Sequence, residues 1–219
     1  MIEVKDVYFT YSTGVEALRG VSVRIGKGEF VAIMGENGAG KTTLIKHFNG
    51  LLKPTHGEVF IDGINTRKAS IAELSRKIGL VFQNPDHQFF CETAEEEIAF
   101  GLRNFGFADR NVHERVEWTL TLLELADYRK SSPFMLSGGE KKRLALASVL
   151  AWDPTVLILD EPTIGQDHNQ KEKLHKVIGQ LTAQEKTVII VTHDVEFVAE
   201  CNPRVLIMSQ GQIVMDGSA

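Results

Sequence analysis

Apolar positions along this chain of 219 residues fall into two kinds of short run. The alternating runs come first. Ile2, Val4, Val7 and Phe9 read as a strand over residues 2–9, and Val21, Val23 and Ile25 share one face of a second strand over 17–25. Tyr11-Ser12-Thr13-Gly14 and Gly26-Lys27-Gly28-Glu29 supply turns after each. Together they predict a small antiparallel sheet at the start of the chain. Later runs do not alternate: Phe30–Met34, Ile78–Phe82, Val156–Leu159 and Thr187–Thr192, the last apolar between its two threonines. Strands buried on both faces look like this, as in the middle of a parallel sheet. Glu58–Ile61 reads as a further strand, and Val205–Met208 with Gln212–Met215 as a hairpin around Ser209-Gln210-Gly211, whose turn type the residues leave open.

Helical spacing separates these strands. A helix starts near Lys41 and ends at Gly50, and a short one covers residues 71–77. From Asn84 to Asp153 only helices are predicted. One covers residues 94–100. A second runs over 112–126, with Val116, Leu120 and Leu123 on one side and Asp109 or Asn111 as its cap. A third begins at Gly139-Glu140 and is stopped by Pro154 after a polar first turn and a nearly all-apolar body. Residues 170–184, and a segment containing Val195, Val198 and Ala199, complete the helices. The fold expected is α/β. A β subdomain plus nucleotide-binding core is formed by residues 1–83 and 155–219, and a helical subdomain, 84–154, is inserted into it within a single domain.

Composition narrows the partners. A hydrophobic share of 43% is ordinary for a globular protein, and a formal charge of −5 offers no basic field for nucleic acid. No apolar stretch approaches the roughly 20 residues that span a bilayer. The N-terminus does not read as a signal peptide. Two cysteines, Cys91 and Cys201, fit a reducing, cytoplasmic setting.

Chemistry enters at Gly35-Glu36-Asn37-Gly38-Ala39-Gly40-Lys41-Thr42-Thr43, which lies between the strand 30–34 and a helix. This is G-x-x-x-x-G-K-[ST] in strand–loop–helix context, the phosphate loop of P-loop NTPases. Glycines let successive backbone N–H groups face one point, and the helix start adds unsatisfied donors. Lys41 can reach the β- and γ-phosphates, and the Thr42 hydroxyl can ligate Mg²⁺. Asp160 and Glu161 close another apolar strand. One carboxylate can organise the metal ion and the other can orient and deprotonate an attacking water.

Gln83 and His193 end two more strands, where either can touch the γ-phosphate, the water or Mg²⁺. Alone, each is equally well a packing or capping residue. Ser137-Gly138-Gly139 opens the buried helix and forms a second anion-facing helix end. One phosphate loop per chain leaves that end surplus in a monomer. Two chains placed head-to-tail would use it, the loop of one against Ser137 and Gly139 of the other. Tyr11, between the first two strands, can stack on adenine or be a plain surface tyrosine.

This set of motifs resembles the nucleotide-binding subunits of ABC transporters over essentially the whole chain. Gly35–Thr43 matches the Walker A loop, Gln83 the Q-loop residue and Leu136–Glu140 the LSGGQ-type signature. Val156–Asp160 matches Walker B, Glu161 the catalytic base, Gly165-Gln166-Asp167 the D-loop, and His193 the switch histidine. Within that family, Phe82-Gln83-Asn84-Pro85-Asp86-His87-Gln88 and Glu95–Gly101 are most similar to the ATPases of energy-coupling factor transporters, including the cobalt and nickel type.

The resemblance implies binding of ATP and Mg²⁺ by Gly35, Asn37, Gly38, Ala39, Gly40, Lys41, Thr42, Thr43, Gln83 and Asp160. It also implies a dimer with a second copy or a paralogous ATPase subunit. An integral-membrane coupling protein and a membrane component that captures a vitamin or metal ion are the further partners, at the cytoplasmic face of the membrane. Phe89, Phe90 and Phe100 are candidates for the groove facing the coupling protein, with ordinary core packing the alternative. An ATPase of another importer or exporter, or a soluble ABC protein, are the rival readings.

Three departures from the family pattern stand out. Glu140 replaces the usual glutamine of the signature, and activity is expected to survive it. Gln166 replaces the usual leucine of the D-loop, where communication across the dimer is at stake. The sequence ends at Ala219, before a C-terminal segment common in this subgroup, as either a short natural form or one part of something longer.

Overall fold

The computed structural model describes residues 1–218. Strands β1 (Ile2–Thr10) and β2 (Glu16–Ile25) lead into β3 (Phe30–Met34) and α1 (Lys41–Phe48). Strands β4 (His56–Ile61) and β5 (Ile64–Asn65) follow, then α2 (Ile71–Lys77) and β6 (Ile78–Val81). Helices α3 (Ala94–Asn104), α4 (Asp109–Leu122) and α5 (Gly138–Leu150) occupy the middle. The chain then runs through β7 (Val156–Asp160), α6 (His168–Ala183), β8 (Thr187–Val191), α7 (Val195–Cys201), β9 (Arg204–Ser209) and β10 (Gln212–Ser218).

Two sheets result. The smaller has the order β2-β1-β4-β5, and its pairings are antiparallel, as the alternating runs predict. The larger has the order β10-β9-β3-β8-β7-β6. Its β9-β3-β8-β7-β6 portion is parallel and β10 adds an antiparallel edge.

Apart from Asp160 and Thr187 at their ends, strands β3, β7 and β8 are apolar because their side chains alternate between two cores. Ala32, Leu157, Leu159, Val188 and Ile190 pack with α3–α7. Val31, Ile33, Val156, Ile158, Ile189 and Val191 pack on the other face, with α1, α2 and the small sheet. The polar groups at the strand ends are thereby held by two packed layers.

Boundaries shift in physically interpretable ways. Gly50 takes φ +76°, one residue beyond the Asn49 cap of α1 and in the left-handed region expected there. The cap of α4 differs from expectation. Ala108 holds the cap position without a side-chain bond, and Asp109 is already in the first turn. The acid favours the positive helix end without bonding to it. The loop between β9 and β10 is two residues, Gln210 and Gly211, at φ +48° and +81°, with Ser209 paired to Gln212. Positive φ at both positions is the type I′ signature that the sequence left open. Among the described residues, no helix is long and apolar enough to cross a membrane.

Candidate functional site

Helix α1 begins at Gly40, at φ +99°, with no side-chain cap and no acidic residue in its first turn. By contrast α2, α3, α5, α6 and α7 are each capped by a side chain: Ser70, Thr93, Ser137, Asp167 and Asp194. The uncapped start of α1 leaves its first N–H groups for an anion. Asn37 and Gly38 form the exposed rim of the loop, and Ala39 is buried beneath it. A Cβ placed on Gly38 would meet nothing, whereas one on Gly35 would lie 2.1 Å from the Met208 carbonyl oxygen. The loop's inner side is therefore packed against β9 and its outer side is open. Lys41 is buried, and its Nζ donates to the carbonyl oxygens of Gly35 (2.7 Å) and Glu36 (3.0 Å). The ammonium is held inside the curl of its own loop, where phosphate oxygens would take over as acceptors.

Strand β7 brings Asp160 to the same place. The Thr42 hydroxyl donates to its Oδ2 at 3.0 Å. Burial pushes the Asp160 carboxyl above its ordinary range, the Thr42 bond opposes that, and the neighbouring Glu161 charge adds to it. Among the described residues, no group of three or more His, Cys, Asp or Glu forms a metal cage. A desolvated carboxylate beside a hydroxyl fits Mg²⁺ nonetheless, since that ion takes few protein oxygens and keeps water and phosphate ligands.

Glu161 is buried and has φ +51°, in the left-handed region that L residues enter at a cost. Its N–H donates to Val191 O on β8 (2.8 Å). Its Oε2 lies 3.1 Å from His193 Nδ1 but out of hydrogen-bond alignment, so this buried oxygen has no hydrogen-bond partner. Gln83 follows β6 and is exposed. With Asp160 and Glu161 it lines a cleft of about 240 Å³ between the strand ends and α4, α5 and α6.

Tyr11 is 36% exposed, and its hydroxyl shares a 2.9 Å hydrogen bond with Thr43 Oγ1. The strand-to-strand tyrosine is thereby tied to the phosphate loop.

Ser137 and Gly138 are exposed at the start of α5. The Ser137 hydroxyl accepts from Glu140 N, and the Glu140 carboxylate accepts from Ser137 N at 2.7 Å. The unusual glutamate thus completes a capping box. The Tyr128 hydroxyl first, then the Ser137 N–H and hydroxyl, hold its carboxyl below the usual range. Among the described residues, no hydrogen bond or ion pair joins residues 137–140 to residues 35–43. Gln166 lies near this helix start too: a Cβ on Gly139 would be 3.8 Å from its Oε1.

Phe89 is 6% exposed and belongs to the core, so packing accounts for it and it does not face a partner. Phe90 (58% exposed) and Phe100 (43% exposed) stack edge-to-face at 4.4 Å. They line a groove of about 310 Å³ together with Leu51, Ile71 and Trp152.

Some contributors escape a reading of the sequence. Lys142, in the polar first turns of α5, reaches the loop after Glu161, and Tyr128 reaches Glu140. Neither sits in a pattern that spacing can flag.

A loop that leaves its helix start to an anion, a hydroxyl–carboxylate pair beside it and a buried acid at the next strand end define a nucleotide-hydrolysing cassette. The profile of the ABC transporter family matches residues 18–164, and the chain belongs to that family as an ATP-hydrolysing subunit. Within it, the chain falls in the energy-coupling factor branch. It is 43% identical over 220 residues to the energy-coupling factor transporter ATP-binding protein EcfA of Methanocaldococcus jannaschii, covering 100% of this chain and 79% of that one. A putative ABC transporter ATP-binding protein of Pyrococcus furiosus is 48% identical over 217 residues, covering 99% and 83%.

Among solved structures, a dimeric ATP-binding cassette in a post-hydrolysis state with ADP and Pi superimposes with TM-score 0.91 at 33% identity, covering 100% of this chain and 98% of that one. The cbiO1 protein of Clostridium perfringens, part of the ABC transporter complex cbiONQ, gives 0.88 at 35% identity, covering 99% and 87%.

Proposed function

We propose that this chain powers an energy-coupling factor type importer of a vitamin or transition-metal ion, through ATP-driven closure of a dimer. The observation that carries this is the separation of the two halves of a phosphate site. Lys41, Thr42, Asp160 and Glu161 converge at the ends of the core strands, while Ser137 and Gly138 present a second helix start bonded to none of the phosphate loop. A second copy or a paralogous subunit would bring that start onto the γ-phosphate. The dimeric cassette and the cbiO1 protein of a larger complex support the same reading.

In this mechanism residues Gly35 to Thr43 wrap the phosphates, and Lys41 exchanges its carbonyl acceptors for β- and γ-phosphate oxygens. Tyr11 stacks on the base. Thr42 and Asp160, with Gln83, would hold Mg²⁺, whose charge offsets that of the phosphates. Glu161 takes a proton from the attacking water, assisted by His193, whose Nδ1 lies 3.1 Å from the acid's Oε2. Because ATP is shared by two surfaces, its binding favours the closed pair, and hydrolysis releases it. Residues 84–154 move as the helical subdomain, and Phe90 and Phe100 meet a membrane partner, so that the chain sits peripherally on the cytoplasmic face.

Co-purification of the chain with its membrane partners, followed by an assay of vitamin or metal uptake, tests the reading. A chain that hydrolyses ATP yet copurifies with no membrane protein would oppose it.

A further inference from the structure

Three consecutive side chains of α5 reach three different parts of the molecule. Lys141 Nζ pairs with Asp86, just past Gln83, at 2.8 Å. Arg143 Nη1 donates to Gln170 Oε1 of α6 at 2.9 Å. Between them, Lys142 Nζ donates to the carbonyl oxygens of Pro162 (3.2 Å) and Ile164. Those two carbonyls belong to the loop that leaves β7 directly after Glu161.

From behind, that loop is held by β8: Glu161 N donates to Val191 O at 2.8 Å, and the hydroxyls of Thr163 and Thr192 are 3.4 Å apart. From the front it is held by Lys142. A residue at φ +51° relaxes unless its surroundings over-determine it, so both sides matter to where the Glu161 carboxylate points. Lysine is also a poor choice for stability alone. Burial lowers its proton affinity, with the Glu161 charge opposing that, and desolvating an ammonium is costly. Its side chain lines the cleft that Gln83, Asp160 and Glu161 also line, at the boundary between helices and core.

We propose that Lys142 is a positioning residue for hydrolysis. It fastens the loop carrying Glu161 to the helix whose start, Ser137, lies five residues upstream or about 7.5 Å along the axis. Engagement of that start by one nucleotide then orients the acid that serves the other nucleotide of the pair. The proposal rests on the reading of Glu161 as the base and of Ser137–Gly139 as the second face of a shared site.

The test measures steady-state hydrolysis and ATP affinity on the full chain for Lys142→Met, Lys142→Arg, Glu161→Gln and the Lys142→Met/Glu161→Gln double variant. Lys142→Met is expected to lower kcat about tenfold or more with ATP Kd changed less than about twofold. Lys142→Arg, which keeps donors for both carbonyls, is expected to recover most of the rate. In the Glu161→Gln background, loss of Lys142 should cost no further turnover. Lys142→Gln, shorter by one bond, serves as a second variant if Lys142→Met melts early.

Full turnover in Lys142→Met with Glu161→Gln inactive overturns the clamp and leaves the base assignment standing. A rate loss matched by an equal loss of ATP affinity, and unrescued by arginine, also overturns it. Full turnover in Glu161→Gln overturns the base assignment and the clamp with it.

Discussion

Oε2 of Glu161 lies 3.1 Å from Nδ1 of His193, although the acid's side chain is 8% exposed and the imidazole 62% exposed. The acid faces inward and its neighbour is open to solvent. Exchange of Glu161 for glutamine removes the proton acceptor while keeping size and packing. Turnover should fall by about 100-fold or more, while ATP binding is retained and closed dimer accumulates with ATP. Light scattering with and without ATP reads this, and an unchanged mass would count against the shared site. Lys41→Ala should act on affinity instead, weakening ATP binding by roughly tenfold or more in a nucleotide titration.

Asp160 makes a pH-dependent prediction. Burial raises its carboxyl in the folded state, so that state holds the proton more tightly than the unfolded chain does. The ionised form therefore costs stability at neutral pH, and the cost fades as pH falls through the raised value. Asp160→Asn should melt higher than the parent at neutral pH without nucleotide, with a gain that shrinks on acidification. The same variant should lose the stabilisation that ATP with Mg²⁺ gives the parent. Melting curves across pH, with and without ligand, read both; a lower melting temperature at neutral pH would contradict the first.

The capping box at α5 separates packing from chemistry. Glutamine at Glu140 keeps a side-chain acceptor for Ser137 N, so Glu140→Gln should leave melting and turnover nearly unchanged. Ser137→Ala loses the cap, at about 1 kcal/mol, which for a chain of this size lowers Tm by about 2–4 °C. It should also lower turnover more than that small loss explains. Calorimetry alongside an ATPase assay distinguishes the two.

Phe90 and Phe100 stack on each other at the lip of a groove and bond to nothing in the catalytic set. Changing both to alanine should leave ATP turnover of the isolated chain within about twofold and abolish co-purification of a membrane partner. Retained co-purification would place the partner elsewhere.

Much of this was legible in the residues because local rules and global fold agree. The alternation of Ile2, Val4 and Val23, and the unbroken runs Phe30–Met34 and Val156–Leu159, each name a sheet environment, and both sheets are there. The phosphate loop is legible for the same reason: its function lies in contiguous backbone. What depends on distance along the chain was not legible. Phe89 and Phe90 are adjacent and equally apolar, yet one is core and the other surface, because only the path of the loop decides which way each turns. Asp109 passes for a cap by type, but the helix starts one residue earlier than its carboxylate would need. Lys142 looks like any charged residue in a polar turn until Pro162 and Ile164, far along the sequence, arrive beneath it.

The tight turn between β9 and β10 has a practical consequence for anyone modifying this protein. Gly211 N donates to Ala39 O at 3.1 Å and its O accepts from Arg19 N at 2.8 Å, while Met208 O backs Gly35. The hairpin tip is a splint under the phosphate loop. An epitope tag or fluorophore site engineered at residues 209–212 would be expected to report as a nucleotide-binding defect. Exposed Gly179 of α6, which lacks a positive φ and where an added Cβ meets nothing within 4 Å, is the better place for a label.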